Sequence, residues 1–348
     1  MINGTQTDTL NDPIAFDEAL TLAKKRMDQA LSSTPAPFRP RTAYLTQSPG
    51  KFLRAYALIA CAEEDSGVRP SAAKAAAAVE LLHLATLVHD DVIDNADTRR
   101  GLKTLMKKFG AHQAVITGDY LFCLALRLAA EAAAGEREMT DDLPRVMEKI
   151  CMGELLQSIN QRNFGLTGNG YLRIIAGKTA ALFEGSFLAG AMLGETSRPE
   201  AKKYARIGWH LGMIFQLMDD LMDYESTAEQ AKKPVLSDFA QGVVTLPLIV
   251  ALKNRPDIHA RACAGEIAKE EVRQSVLETG GLVFTRRVAR LYYERAVRLL
   301  EDLGAPAYKK EKLGDLLSQA LVGSTSRLEA QNRTSESLGY STGTTGVS

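Results

Sequence analysis

The stretch LVHDDVIDNADTRRG, residues 87–101, sets four aspartates beside Arg99 and Arg100, directly after an Ala- and Leu-rich run. Asp90, Asp91 and Asp94 form a D-D-x-x-D pattern, and Asp219, Asp220 and Asp223 in FQLMDDLMDYE repeat it. On a helix, positions i and i+4 share one face, roughly 6 Å apart along the axis, with i+1 beside them. Each triplet is therefore a patch of carboxylates. Like charges at that spacing repel, and a desolvated carboxylate is costly, so such a patch calls for a positive partner. Mg²⁺ suits it: the ion takes oxygen ligands, keeps several waters and joins one or two carboxylates to substrate phosphates. A solvated acidic helix end would account equally well for one copy. Two copies, each after an apolar run, favour a pair of metal and diphosphate sites.

Cationic residues cluster around the same segments. Arg99 and Arg100 supply guanidinium forks that match phosphate oxygens, although surface pairs with Asp94 or Asp97 are the plainer alternative. In SPGKFLRAY, Lys51 and Arg54 stand three apart on one helical face just after a glycine. Helix N-terminal amides also favour anions there. His83 lies two helical turns before Asp90 and so on its face; alone it would read as a core histidine, and His89 is read as one. In IIAGKTAALFEG, Lys178 and Thr179 follow a glycine inside a helical segment and read as a further phosphate contact.

These groups must be held by helices. Ala, Leu, Glu, Lys and Arg dominate, apolar residues recur at helical spacing, and β-branched alternation is rare, which predicts an all-α chain. Helices are expected over 14–31, 51–65, 71–97, 111–134, 140–163, 168–194, 197–225, 242–253, 265–275, 283–302 and 308–330. SSTPAPFRPRTAYLTQSPG and STAEQAKKPVLSDFAQG are expected as loops, residues 1–13 as a flexible lead and 331–348 as a disordered tail. No composition shift marks a boundary, so 1–330 is expected as one domain. Apolar residues on several sides of 77–89 and 180–193 predict central helices of a bundle.

The chain has 348 residues, 45% hydrophobic and 24% charged, enough apolar mass for a sizeable core. Its 42 basic and 42 acidic residues cancel, so no global field draws nucleic acid or an anionic membrane, and phosphate affinity must be local. MINGTQTDTLNDP shows no charged segment leading into an apolar one, and no uninterrupted apolar run reaches about 18 residues. The expectation is a cytoplasmic chain with no transmembrane segment. Cys61, Cys123, Cys151 and Cys263 form no metal-binding pattern and are expected as buried thiols.

From GKFLR through LLHLATLVHDDVIDNADTRRG, GDYLF, GELLQ, GKTAALF and FQLMDDLMDY to GVVTLPLI, the chain resembles the trans-type isoprenyl diphosphate synthases of the polyprenyl synthetase family, with all motifs in family order. The resemblance implies an isoprenoid-synthase helical bundle around a central apolar tunnel, with the two aspartate patches at its mouth. It also implies a homodimer, with a heteromer as the other possibility, and Mg²⁺ dependence, with as many as three ions when diphosphate is bound. Lys51, Arg54, His83 and Arg100 fall where the family binds isopentenyl diphosphate. Both aspartate triplets fall where it binds Mg²⁺ and the allylic diphosphate. Arg99, Lys178, Thr179, Gln216 and Lys233 match positions that contact the allylic diphosphate or assist its departure.

The chain also departs from the family pattern. The usual GGKRxRP reads SPGKFLRAY, with Phe52 and Ala55 replacing an arginine and a proline, and Val243 replaces a lysine. In the family, the fifth position before the first aspartate commonly sets the tunnel floor. Ala85 holds it here and Thr86 follows, both small, which points to a long all-trans product of C30 or beyond. Geranylgeranyl or farnesyl diphosphate synthase, or a subunit of a heteromeric synthase, are the alternatives.

Overall fold

Ala-rich segments with few β-branched residues lose little side-chain entropy as helices, and this chain is built almost wholly from them. The computed structural model describes residues 12–47, 50–133, 137–225 and 236–323, with the backbone alone over 137–141. The segment bearing Lys233, residues 1–11 and the expected tail 331–348 lie outside the described residues. The chain divides into two compact units. One takes the described residues up to Leu143 together with Ser186–Ala201, and the other takes Pro144–Gly185 and those from Lys202 onward.

The first unit contains α1 (Phe16–Ser32), α2 (Arg39–Leu45), α3 (Leu53–Ala62), α4 (Pro70–Ile93), the strands β1 (Thr98–Arg99) and β2 (Leu102–Lys103), α5 (Leu105–Phe109) and α6 (Ala111–Ala133). Pro70 opens α4, where its missing N–H costs nothing. The helix is then apolar all round: Ala72, Ala76, Leu81, Leu82 and Ala85 are fully buried as α1, α3 and α6 pack against it. Such burial on every side is what a central helix requires. By length and composition alone α4 and α6 could each cross a membrane, but α4 is a core helix of this unit. His89 of α4 faces α6. Its Nε2 lies 3.1 Å from the Val115 carbonyl and rests on Gly118, where an added Cβ would fall 2.3 Å from that nitrogen.

The chain continues through α7 (Arg137–Ile159), α8 (Gly168–Ile175), a π-helical turn (Ala176–Ala180), α9 (Ala181–Leu193) and α10 (Arg198–Glu225). It then forms α11 (Ser237–Gln241), α12 (Leu246–Asn254), α13 (Pro256–Ala264), α14 (Lys269–Glu278), α15 (Gly281–Glu301) and α16 (Ala307–Val322). In the second unit, Tyr224, Leu236, Leu248, Ala251, Val272 and Val276 form a buried cluster joining the end of α10 to α12 and α14.

The structure amends the sequence-based map at several points. The expected loop before Lys51 contains α2, which Pro40 opens rather than breaks. The helix expected to reach residue 97 stops at Ile93, because Asn95 turns left-handed, and a hairpin follows. The expected helix 168–194 is interrupted by the π turn, and α11 lies in an expected loop. Only Cys61 is buried; Cys123, Cys151 and Cys263 are exposed free thiols, because each lies on the outward side of its helix, which on α6 and α7 also carries the exposed apolar residues Val115, Leu126, Met152 and Leu155.

His210 on α10 gives the second unit an acid-sensitive point. It is 3% exposed, its Nδ1 has no hydrogen-bond partner, and it packs against Trp209 and Tyr292. Burial, then Arg206 and Arg295, pull its pKa from 6.5 to about 4. Between those values the unfolded chain binds a proton that the folded chain does not, so stability rises with pH across that window. Thermal melts from pH 4 to 7 are expected to show this loss on acidification, up to about 3 kcal/mol, and His210→Phe is expected to flatten that part of the profile.

Candidate active site

In the first unit, cations gather where the loop before α3 and the hairpin after α4 present them. Arg100 and Gly101 link β1 to β2, with Arg99 opposite Leu102. Both linking residues have positive φ, at 51° and 80°, the pattern of a type I′ hairpin turn, with glycine second. This turn brings the Arg100 guanidinium to the backbone before α3, where a Cβ on Gly50 would sit 3.4 Å from Nη1. Lys51 is exposed there, Phe52 is left-handed at φ 53°, and Arg54 is buried. A positive φ at a bulky residue is costly, and such strain collects at functional sites.

His83 is half-buried on α4, and burial followed by Arg54, Arg100 and Arg99 pulls its pKa well down. At neutral pH it is an uncharged hydrogen-bonding group. Arg99 donates from Nε to Asp91 at 2.7 Å, so the alternative of a local ion pair holds for Arg99, with Asp91 rather than Asp94 or Asp97. Asp91 is buried, and burial raises its pKa against the pull of Arg99. Asp90 and Asp94 keep part of their surface exposed. Ala85 has no exposed surface, whereas Thr86 is half-buried and donates to the His83 carbonyl at 2.8 Å.

One residue that sequence reasoning missed stands behind these cations. Glu80 of α4 is 5% exposed and accepts the Ala55 amide at 3.0 Å. Burial raises its pKa, while Arg54, the amides of Ala55 and Arg54, and Arg100 oppose the rise. Burial likewise lowers Arg54 to about 10, so it stays protonated at neutral pH. Removing one partner of such a buried pair costs about 3–5 kcal/mol. Its sequence signal was weak: Glu80 lies one turn before His83 on the same face.

In the second unit the carboxylates of α10 join a hydrogen-bonded network. Thr179 donates to Gln216 Oε1 at 2.7 Å, Gln216 donates to Asp220 Oδ1 at 2.7 Å, and the Tyr171 hydroxyl donates to Asp220 Oδ2. Asp220 is 2% exposed, and burial with Asp219 and Asp223 nearby raises its pKa to about 7 despite those donors. Asp223 accepts the Ser237 amide at 3.1 Å and the Asp238 amide at 3.2 Å, which ties α11 to α10. Asp219 remains exposed. Asp238, another residue missed in an expected loop, is driven well up by burial and by Asp220, Asp223 and Asp219, with Lys178 opposing.

Lys178 sits in the π turn, and its Nζ donates to Glu154 at 2.9 Å. The turn exists where α7 touches it backbone to backbone. A Cβ on Gly153 would lie 2.2 Å from the Lys178 amide nitrogen, and one on Gly177 would lie 2.8 Å from the Gly153 Cα. Single π turns inside helices commonly mark functional positions. Glu154 was visible only as part of GELLQ.

Among the described residues, no three His, Cys, Asp or Glu side chains converge into a ready metal cage. The donor set nevertheless fits Mg²⁺, which takes only one or two carboxylates and completes its shell with water and phosphate oxygens. Burial is what chiefly raises the pKa values of Asp91, Asp220 and Asp238, with neighbouring aspartates adding to the rise, and a cation would favour the charged form of each. Asp90, Asp94 and Asp219 present the more exposed oxygens.

Residues 37–279 match the family model for polyprenyl synthetase. The chain belongs to the polyprenyl synthetase family. It is 33% identical over 292 residues to heptaprenyl diphosphate synthase component 2 of Geobacillus stearothermophilus, covering 83% of this chain and 91% of that one. Octaprenyl diphosphate synthase of Escherichia coli is 30% identical, covering 78% and 85%. Among solved structures, heptaprenyl diphosphate synthase from Staphylococcus aureus matches with a TM-score of 0.82 and 29% identity, over 89% of this chain and 98% of that one. This polyprenyl synthetase is accordingly a prenyltransferase with the family's all-α fold.

The glycine contact gives a direct test in this polyprenyl synthetase. Gly153→Ala forces α7 away from the π turn, because the obstructing atom is backbone and cannot rotate aside. Overpacking of this kind costs about 1–3 kcal/mol. A lowered melting temperature and at least about a tenfold loss of turnover are expected, read by calorimetry and product assay on one preparation.

Proposed function

We propose that this prenyltransferase joins isopentenyl diphosphate head to tail (1′–4) to an allylic diphosphate, yielding an all-trans polyprenyl diphosphate of C30 or longer. The observation that carries the reading is that each unit separately builds a carboxylate array beside phosphate-suited side chains. In the first unit these are Asp90, Asp91 and Asp94 with Lys51, Arg54, His83, Arg99 and Arg100; in the second, Asp219, Asp220 and Asp223 with Lys178, Thr179 and Gln216. Lys51, Arg54, His83 and Arg100 are assigned to isopentenyl diphosphate. The aspartates, Arg99, Lys178, Thr179, Gln216 and Lys233 are assigned to the allylic diphosphate.

Mg²⁺, when bound, neutralises charge on the departing diphosphate and so makes ionisation of the allylic carbon–oxygen bond possible. The chain's own cations add to that stabilisation, since preorganised charge is worth most where negative charge develops. Held by Lys51, Arg54 and Arg100, isopentenyl diphosphate would already be positioned for attack, which turns a bimolecular step into an effectively unimolecular one. Neutral His83 contributes a hydrogen bond without titrating near pH 7. Exclusion of water keeps hydrolysis from competing with carbon–carbon bond formation. We take residues 1–330 as one prenyltransferase domain, acting as a cytoplasmic homodimer with an apolar tunnel for the growing chain.

A second reading, as a subunit of a two-component synthase, draws on the likeness to a protein named component 2 and on the altered GKFLR segment. Purified chain incubated with Mg²⁺, labelled isopentenyl diphosphate and each of dimethylallyl, geranyl, farnesyl and geranylgeranyl diphosphate separates these readings. The expected outcome is a product ladder ending at C30 or beyond, abolished by chelation. Termination at C15 or C20 rejects the chain-length reading, and no turnover by the chain alone favours the two-component one.

Product length is expected to answer differently at two neighbouring positions. Thr86 keeps exposed surface, so Thr86→Phe should shorten the product by at least one isoprene unit. Ala85 has none, so Ala85→Phe should overpack the core and lower the melting temperature by roughly 2–8 °C. Chromatography of dephosphorylated products and thermal melts of both variants read the contrast.

A further inference from the structure

The first unit sets several positive groups side by side, and like charges so placed must be held against their own repulsion. Arg99 has its partner in Asp91. Arg54 and Arg100 both act on another carboxylate. Each lies near enough to buried Glu80 to favour its charged form, Arg54 more strongly. The same carboxylate accepts the amide of Ala55, the third residue of α3.

Helix α3 needs that contact. The first amides of a helix have no partner within it, and a side chain at the N-cap position usually supplies one. Here the N-cap is Phe52, left-handed and without a capping side chain, so α3 takes its cap from α4. Lys51 immediately precedes this turn and Arg54 lies within it. One buried carboxylate therefore caps the backbone that carries two cations and lies within electrostatic reach of the Arg54 and Arg100 side chains.

We propose that Glu80 is a positioning residue for isopentenyl diphosphate: its charge holds Arg54 and Arg100 in the geometry that receives the diphosphate, and it does not touch the substrate itself. The proposal rests on assigning Lys51, Arg54 and Arg100 to that substrate. A cap alone would not require a carboxylate, because a glutamine side-chain oxygen accepts the Ala55 amide as well. The negative charge has a second use, which is to order two guanidinium groups that would otherwise repel.

Glu80→Gln separates the two uses, since it keeps the acceptor and removes the charge. Steady-state kinetics should show the KM for isopentenyl diphosphate raised about tenfold or more, the scale of one lost charge-assisted contact. The KM for the allylic diphosphate and kcat should stay within about twofold. Glu80→Asp, which keeps the charge, should recover part of the loss. An unchanged KM for isopentenyl diphosphate in Glu80→Gln, or an equal rise for both substrates, overturns the proposal. Should Glu80→Gln fail to fold, Glu80→Asp carries the test by the same split between substrates. Lys51→Gln serves as the reference. If it leaves the KM for isopentenyl diphosphate untouched, the assignment of the site fails, whereas a rise there with none in Glu80→Gln sinks the role of Glu80 alone.

Discussion

A carboxylate taken out of water beside other carboxylates is unfavourable by several kcal/mol unless something neutralises it. This chain does so in both units. Asp220 is nearly inaccessible and close to Asp219, Asp223 and Asp238, and its pKa rises to about 7 even with Tyr171 and Gln216 donating to its two oxygens. Asp91 meets the same problem with Arg99, and Glu80 with Arg54. The long helices α4 and α10 give these groups fixed positions that a loop would not. Negative charge left over after local hydrogen bonding would favour a divalent cation, and only through such a cation could these carboxylates hold an anionic diphosphate.

The two arrays solve the problem with different materials. In the first, guanidinium groups on a tight hairpin and a helix N-terminus supply positive charge directly. In the second, neutral donors from Tyr171, Gln216 and Ser237 orient the carboxylates, while Lys178 is held by Glu154. In both, the middle aspartate of the triplet is the most buried, while its neighbours at i and i+4 keep more exposed surface, Asp223 doing so although it caps α11. That sorting follows from helix geometry. Two positions four apart lie roughly 40° from each other around the axis, while the second aspartate, roughly 100° from the first, is turned further round to the packed side.

Most of this was legible in the sequence because spacing on a helix dictates which side chains share a face. The D-D-x-x-D repeats and His83 above Asp90 needed only that rule, Lys178 and Thr179 needed the glycine before them and the family resemblance, and the all-α class needed only composition and period. What escaped depended on contacts between elements. Glu80 looked like an ordinary helical glutamate, and only the approach of α3 makes it a cap. Asp238 sat in an expected loop, and only the capping of α11 by Asp223 brings it to the other aspartates. The hairpin at Arg100 escaped because its strands are two residues each, too short for alternation to register.

The contact between Gly153 and Gly177 has a consequence of another kind. Where two backbones meet with no side chains between them, their spacing is fixed by peptide geometry rather than by which residues fill a gap. The surrounding core can therefore be rebuilt with other apolar residues while the lysine in the π turn keeps its place. A position of this type is indifferent to most change around it and intolerant of nearly any change within it, so neutral drift in such an enzyme would accumulate up to its edge and stop.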